Sequence, residues 1–158
     1  MDIRPISDDD VDAVLRLNHQ SVWALSALDA ESLATYRGNA AHALVCEVEG
    51  VVAAFAIAYT PGAAYDSINY RWQAERFDDF VYLDRIAVDP GFRRRGIAGA
   101  LYDVVEHAAE PHGRMVCEVY SDPPNEGSLA FHAARGYREI GHLLQANGQE
   151  CVMLEKPL

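Results

Sequence analysis

The chain has 158 residues, of which 50% are hydrophobic and 23% are charged, and its formal net charge is −11. This composition is typical of one globular domain, residues 1–158, and the acidic charge argues against a nucleic-acid partner. No apolar run approaches the roughly 20 residues of a membrane span, and no apolar segment of the signal-peptide type follows Met1–Pro5, so we expect a cytoplasmic protein.

The first half of the chain combines strand-like and helix-like patterns with clear caps. Ser7 precedes three acidic residues and Asp29 precedes a second helical pattern, which are both signals of a helix start. The predicted elements are a strand over residues 2–6, a helix after Ser7, a helix from Asp29 to about Arg37, a hairpin of strands 43–48 and 51–59, and an ordered loop over residues 60–79, with or without a helical part.

The second half predicts a strand–helix–strand unit followed by a helix and two strands. The predicted elements are a strand over residues 80–88, a helix over 97–110, a strand over 115–120, a helix over 125–135, and strands over 137–144 and 151–156. The 97–110 helix should turn one apolar face to the core, formed by Ile97, Leu101, Val104, Val105 and Ala108. Two strands joined by a helix should be parallel, whereas the hairpins are antiparallel, so we expect an α/β fold with a mixed sheet.

The most distinctive segment is an arginine- and glycine-rich turn between the 80–88 strand and the helix that follows. The first N–H groups of a helix lack partners inside the helix, and the helix dipole places partial positive charge there. Arg93 to Arg95 add charge, and Gly96 lets the backbone approach a ligand closely. The segment therefore predicts an anion site, although it has neither the Lys-Ser/Thr ending of a P-loop nor a G-x-G-x-x-G pattern.

This turn reads R-x-x-G-x-A over residues 93–98, which resembles the pyrophosphate-binding turn of the GNAT N-acetyltransferase superfamily. The order of the predicted elements is also similar to that superfamily over nearly the whole chain. Two further segments, Asn69–Trp72 and Tyr82–Arg85, resemble a bacterial subgroup of the superfamily and leave the acceptor open. A second motif with the superfamily's late pattern is formed by Asn125, Ser128, Phe131, His132, Gly136 and Tyr137.

The resemblance implies a mixed central sheet with a splayed parallel pair, helices on both faces, and acetyl-CoA as the cofactor. The pyrophosphate would lie on the turn, and Arg95 would contact it or point to solvent. The pantetheine arm would pair with the backbone of the 80–88 strand next to a β-bulge. The implied cofactor-binding residues are Ile86, Ala87, Val88, Arg93, Arg94, Arg95, Gly96, Ile97, Ala98, Asn125, Ser128 and His132.

His132 occupies the position where the superfamily usually has a tyrosine that acts as general acid. An imidazole with a pKa of about 6.5 differs from a phenol with a pKa of about 10, so His132 is open to three roles: acid, base, or a structural role with water carrying the proton. For the base we expect Asp84 first and Glu118 second. The alternatives are that Asp84 pairs with Arg85 and that Glu118 points outward.

The resemblance implies acetyl transfer to a primary amine of a small molecule or a peptide. Transfer should be direct in a ternary complex, because none of the three cysteines matches a nucleophile motif. No metal site is expected, because neither the cysteines nor the six histidines have metal-ligand spacing. Candidate acceptor contacts, with core packing as the alternative for the aromatic ones, are Asn18, Trp23, Asn69, Tyr70 and Trp72.

Two other functions remain open at this point. The first is a non-catalytic acyl-CoA-binding module with the same fold, and the second is a different nucleotide-binding α/β protein, which the missing phosphate-binding signatures disfavour. A homodimer is an expectation from the resemblance alone.

Overall fold

The computed structural model describes residues 1–158 and contains one seven-stranded mixed sheet. The strands are β1 (Asp2–Pro5), β2 (His42–Val48), β3 (Val51–Tyr59), β4 (Val81–Val88), β5 (Arg114–Asp122), β6 (Arg138–Leu144) and β7 (Glu150–Pro157). The helices are α1 (Val11–His19), α2 (Ala30–Asn39), α3 (Ile68–Ala74), α4 (Ile97–Ala109) and α5 (Glu126–Ala134). None of these helices has the length and apolar character that a bilayer crossing requires.

The sheet order is β1-β2-β3-β4-β5-β7-β6, and only the β4–β5 pair is parallel. Helix α4 connects these two strands, which is the strand–helix–strand unit that the sequence predicts. β7 lies between β5 and β6, so β6 forms one edge of the sheet and β1 forms the other.

Two hydrophobic cores lie on opposite faces of the sheet, and β3 contributes to both. Successive residues of a strand point to opposite faces. Ala54 and Ala56 therefore pack with Leu101 of α4, whereas Phe55 packs with Leu17 of α1. The helices thus cover both faces, and β3 is buried from Ala53 to its end.

β4 and β5 separate after two residue pairs. Their pairing is limited to Val81 with Met115 and Tyr82 with Val116. On its other edge, β4 has a β-bulge at Asp84, because the pairing with β3 skips this residue. A bulge bends its strand and breaks the ladder locally, so β4 diverges from β5 and a cleft opens in the middle of the sheet.

Residues 68–74 form α3, whose N-cap Ser67 accepts a hydrogen bond from the Tyr70 N–H, so the stretch over residues 60–79 contains the helical part that the sequence left open. The structure differs from the sequence prediction at one helix. On α4, Val104 is 40% exposed instead of buried. Tyr102 and Glu106 are buried in its place. Both have buried hydrogen-bond partners that the apolar pattern does not reveal.

Candidate active site

A cavity of about 410 Å³ occupies the cleft between β4 and β5. Side chains of both strands line it, together with α4, α5, the segment between α1 and α2, and the β6–β7 turn. The cavity lining includes Ser26, Tyr65, Asn69, Asp84, Arg85, Ile86, Tyr102, Cys117, Glu118, Asn125, Ser128, His132 and Gln145. The cavity thus unites predicted catalytic residues from both halves of the sheet.

Glu118 of β5 has one carboxylate oxygen with two donors and one with none. Oε1 accepts hydrogen bonds from the Tyr82 hydroxyl at 2.9 Å and from Asn69 Nδ2 at 3.0 Å. Oε2 is buried and has no hydrogen-bond partner. Burial, and then the negative charge of Asp84, raises the pKa of Glu118 to about 8. This carboxylate can therefore hold or release a proton close to neutral pH.

Asp84, at the bulge of β4, has donors on both of its oxygens. The hydroxyl of Tyr65 donates to Oδ1, and Arg85 Nε donates to Oδ2 at 2.7 Å. Both members of the Asp84–Arg85 ion pair are buried. This is the alternative that the sequence left open for Asp84. We therefore give the first choice for the base to Glu118, because both oxygens of Asp84 already have donors whereas Oε2 of Glu118 is free to receive a proton.

His132 of α5 is buried and has three hydrogen-bond contacts, the longest of which joins Nδ1 to the Ser128 hydroxyl oxygen at 3.3 Å. Its Nδ1 lies 2.7 Å from the backbone carbonyl oxygen of Ser128, and its Nε2 lies 2.6 Å from the hydroxyl oxygen of Tyr102. Desolvation by burial lowers the pKa of His132. The imidazole is therefore neutral near pH 7, and its two nitrogens already have partners.

The arginine-rich turn has the geometry of an open helix N-terminus. Gly96 precedes α4 with φ 79°, a left-handed conformation that glycine adopts without strain, and no side chain caps the helix. The residues from Arg93 to Gly96 are exposed. Arg95 contacts Glu49 at 3.3 Å, whereas Arg93 and Arg94 have no carboxylate partner. On a chain with a net charge of −11, two unpaired guanidiniums beside free helix N–H groups favour an anion.

The predicted pantetheine contacts lie along both sides of the cleft. Beyond Tyr82, the β4 edge that faces β5 has no strand partner. The Asp89 N–H donates to the Ala53 carbonyl of β3, and hydrogen-bonded pairs alternate along an antiparallel ladder, so the backbone groups of Ile86 and Val88 point to the open edge, whereas those of the predicted contact Ala87 face β3. Across the cleft, Asn125 caps α5 by accepting the Ser128 N–H at 3.3 Å, so its Nδ2 has no role in the cap. Ile97 and Ala98 form the first turn of α4 at the end of this edge.

Of the predicted acceptor contacts, only Asn69 lines the cavity. Its amide is fully engaged with the Gln145 amide and Glu118, because it donates to both and accepts from Gln145 Nε2 at 2.9 Å. This pair joins the start of α3 to the β6–β7 turn beside the candidate base. Asn69 therefore orients Glu118 instead of presenting a free amide to the cavity.

The other four predicted acceptor contacts lie outside the cavity lining, each for a physical reason. Asn18 is buried and holds Arg85 and the Ser26 backbone. The Tyr70 hydroxyl is occupied by backbone groups of Thr60 and Ala63. Trp72 packs directly against Gly141 of β6, where an added Cβ atom would lie only 2.7 Å from Trp72 Cζ2. Trp23 is 59% exposed, next to the cavity-lining segment that starts at Ala24.

Five residues complete the site without a site role predicted from the sequence: Tyr65, Tyr82, Arg85, Tyr102 and Gln145. Arg85 entered only as the alternative partner of Asp84, and Tyr82 only within the Tyr82–Arg85 segment. Tyr102 interrupts an apolar helix face, so a buried polar position within an apolar pattern was the available signal, whereas Gln145 lies in a turn and gives no such signal. No group of three or more His, Cys, Asp or Glu side chains is arranged to hold a metal ion, and all three cysteines are free and buried.

Several solved structures of acetyltransferases share this fold. Ard1 from Thermoplasma volcanium aligns with a TM-score of 0.80 at 18% identity, covering 99% of this chain and 97% of that one. The ribosomal-protein-S18-alanine N-acetyltransferase from Escherichia coli aligns with a TM-score of 0.72 at 20% identity over 99% and 92% of the two chains. Arabidopsis thaliana Naa50, in complex with the bisubstrate analogue CoA-Ac-MVNAL, aligns with a TM-score of 0.74 at 12% identity over 99% and 98%.

Sequence comparison agrees with the structural comparison. An uncharacterized N-acetyltransferase of Methanocaldococcus jannaschii is 35% identical over 57 residues, which are 36% of this chain and 25% of that protein. The model of the Acetyltransferase (GNAT) family matches residues 9–137, which is most of the chain. The resemblance and the mixed-sheet fold predicted from the sequence are confirmed: the chain belongs to the Acetyltransferase (GNAT) family of acyltransferases.

Proposed function

We propose that this chain transfers an acetyl group from acetyl-CoA to a primary amine, directly within a ternary complex. The observation that carries the proposal is the carboxylate of Glu118, which lines the cleft with one buried oxygen free of partners. A group with this environment is suited to take a proton from an attacking amine.

The residues around the cleft fit acetyl-CoA at three points. The open edge of β4 offers backbone groups to the pantetheine amides, the amide of Asn125 lies opposite, and the turn with Arg93 and Arg94 offers charge and free N–H groups to the pyrophosphate. Acetyl-CoA, when bound as the donor substrate, supplies an acetyl thioester for transfer.

Glu118 acts as the general base in this proposal. An alkylammonium has a pKa of about 10 and gives its first proton to water to become the free amine, and the nitrogen then loses a second proton on its way to the amide. Oε2 of Glu118 receives that proton, while Tyr82 and Asn69 hold Oε1 in place. The neighbouring Asp84, which keeps its ion pair with Arg85, raises the affinity of Glu118 for the proton.

A peptide or protein amine is the first acceptor to test. One structural neighbour is named for acetylating an alanine of ribosomal protein S18, and another was solved with an analogue that joins CoA to the peptide MVNAL. These relatives support a peptide acceptor for this chain, and small-molecule amines are the second class.

The cytoplasmic location and the homodimer stay predictions.

The test is release of free CoA thiol from acetyl-CoA with a panel of peptide and small-molecule amines, followed over pH with the best acceptor. For the wild type we expect kcat/KM to rise from pH 7 to pH 9 with an apparent pKa near 8, because Glu118 must be ionised. Glu118→Gln should lower kcat by about 100-fold or more and remove this pH dependence.

Asp84→Asn serves as the matched comparison on the opposite strand. It removes a negative charge beside Glu118, so the rise in kcat/KM should move to lower pH instead of disappearing. A pH profile that is the same in Glu118→Gln and in the wild type would reject Glu118 as the base. Binding of acetyl-CoA without thiol release for any amine would instead favour a non-catalytic acyl-CoA-binding module.

A further inference from the structure

Tyr102 and His132 form a buried pair that the proposed mechanism has not yet used. Tyr102 reaches the cavity from α4 and His132 from α5, and their hydrogen bond joins the hydroxyl oxygen to Nε2 at 2.6 Å. The two rings meet edge to face, with centroids 5.3 Å apart. Neither side chain belongs to the carboxylate cluster of Glu118 and Asp84.

The hydrogen bonds of His132 determine which of its nitrogens carries the proton. A backbone carbonyl oxygen can only accept, so the contact of Nδ1 with the Ser128 carbonyl requires a proton on Nδ1. The neutral imidazole has one proton, and Nε2 must therefore accept from the Tyr102 hydroxyl. His132 has no proton on the nitrogen that faces Tyr102, so it is poorly suited to be the acid that the motif position suggests.

Resting on the proposed function, we propose that the Tyr102 hydroxyl, and not His132, stabilises the departing CoA thiolate by a hydrogen bond. The hydroxyl turns about its C–O bond from Nε2 of His132 to the sulfur. His132 is then a positioning residue that holds Tyr102 at the cavity wall. In the superfamily pattern the phenol stands at the His132 position on α5, whereas in this chain a phenol enters the same region from α4.

The step conserves atoms and charge. The amine nitrogen forms the new C–N bond as the C–S bond breaks, and the electron pair of that bond remains on sulfur. The acceptor attacks as the free amine, whose ammonium proton has gone to water. Oε2 of Glu118 takes the second proton, which the nitrogen loses as the amide forms, and Tyr102 keeps its own proton while it donates a hydrogen bond. Water protonates the thiolate when CoA leaves, and water also takes the proton back from Glu118. Burial raises the pKa of Tyr102 well above its usual range, so its hydroxyl remains protonated throughout.

The test measures the acidity of the CoA thiol when CoA is bound, which requires no acceptor and no turnover. The thiolate absorbance of the CoA complex is titrated against pH, and the complex with desulfo-CoA is subtracted to remove the signals of the protein. A hydrogen bond to the thiolate favours the ionised form, so Tyr102→Phe should raise the pKa of the bound thiol by about one unit relative to the wild type. With acetyl-CoA and an acceptor, the same variant should lower kcat by about 10-fold and leave the KM for acetyl-CoA unchanged.

Tyr137→Phe is the matched control, because it removes a hydroxyl from the same aromatic cluster. The rings of Tyr137 and Tyr102 are 6.0 Å apart, but the Tyr137 hydroxyl donates to Glu106 and does not line the cavity. The bound thiol in Tyr137→Phe should titrate as in the wild type. An equal rise in both variants would show that the shift comes from disturbed packing, and it would overturn the assignment of Tyr102.

Two further results separate this inference from the proposed function. If CoA binds and its thiol titrates identically in the wild type and in Tyr102→Phe, Tyr102 has no contact with sulfur and the inference fails alone. If CoA does not bind at all, the proposed function fails and this inference fails with it. The double variant Tyr102→Phe/His132→Tyr returns a phenol to α5, and a thiol pKa restored to the wild-type value would support a role for the phenol itself.

Discussion

At the scale of single residues, two carboxylates of one cavity differ because their hydrogen-bond partners differ. Both oxygens of Asp84 have donors, and one of these donors is a buried guanidinium. Glu118 has neutral donors on one oxygen and nothing on the other. The second environment penalises the ionised form and raises the pKa of Glu118, so the carboxylate on β5 is the candidate base, whereas the carboxylate on β4 is held in an ion pair with Arg85.

The turn before α4 leads to a prediction for Gly96. Gly96→Glu places a carboxylate at the open helix N-terminus beside Arg93 and Arg94, where it competes with a bound phosphate. We expect the Kd of CoA to rise at least about tenfold, measured by calorimetry.

Gly113→Glu is the control for this substitution. Gly113 has φ 73° against 79° for Gly96, and a Cβ atom at either position would meet no atom within 4 Å. Each substitution should therefore cost a similar strain of about 1 kcal/mol in the free energy of unfolding. A loss of CoA affinity in both variants would mean that strain, and not the position at the turn, weakens binding.

Local sequence signals predict the turn well and the cavity only in part. Gly96 and the arginines act through the backbone of their own segment, so a short pattern contains the needed information. The environment of Glu118 depends on Asn69 and Tyr82, which lie 49 and 36 positions away. The Tyr102–His132 bond likewise joins residues 30 positions apart. An apolar pattern cannot report such contacts, which is why Val104 rather than Tyr102 is predicted to face the core.

At the scale of elements, the segment between α1 and α2 forms a wall of the cavity that is tied to the β4 bulge. Asn18 Nδ2 donates to the Ser26 carbonyl at 2.9 Å, and Asn18 Oδ1 accepts from Arg85 at 3.1 Å. Arg85 also donates to Ser26 Oγ at 3.0 Å. Because Arg85 is paired with Asp84, the position of this wall depends on the same bulge that opens the cleft.

Asn18→Ala should loosen this wall without touching the phosphate-binding turn. The loss of two hydrogen bonds, each of which contributes roughly 1 kcal/mol, should raise the KM for the acceptor by up to about 30-fold. The Kd of CoA should not change. Steady-state kinetics with varied acceptor and calorimetry with CoA measure the two effects separately.

Asn39→Ala is the matched control, since the Asn39 amide donates to the Thr35 carbonyl at the exposed end of α2. It should leave the KM for the acceptor as in the wild type. If Asn18→Ala weakens acceptor and CoA binding equally, the substitution disturbs the whole fold, and the anchoring role of Asn18 is rejected.

At the scale of the whole molecule, the cleft divides the sheet into two parts that share few hydrogen bonds. Strands β1 to β4 meet strands β5 to β7 through two residue pairs only. Helix α4 bridges the division, because it packs on β3 and β4 as well as on β5. Glu106 extends this bridge from α4 to the chain that follows α5 and to β7, where its partners are Arg135, Tyr137 and Lys156.

Glu106→Gln tests how much this bridge contributes to stability. Although burial raises the pKa of Glu106, hydrogen bonds from Arg135 and Lys156 hold it below the usual value. The carboxylate therefore stabilises the folded protein at neutral pH, and this stabilisation is lost as the pH falls below about 4.5. At pH 7 we expect the variant to lose about 2 kcal/mol in the free energy of unfolding, since removing one partner leaves two cations unpaired in a partly buried site.

Urea denaturation at pH 7 and at pH 4 measures this loss, with Glu110→Gln as the control. Glu110 is exposed and contacts only His107 at the end of α4, so its substitution should change the free energy of unfolding by less than about 0.5 kcal/mol. The deficit of Glu106→Gln should narrow at pH 4, because Glu106 in the unfolded chain, with its ordinary pKa of 4.5, takes up a proton there and this favours unfolding of the wild type. A deficit of equal size at both pH values would instead show that Glu106 stabilises the protein through the shape of its side chain and not through its charge, because a purely steric contribution does not depend on protonation.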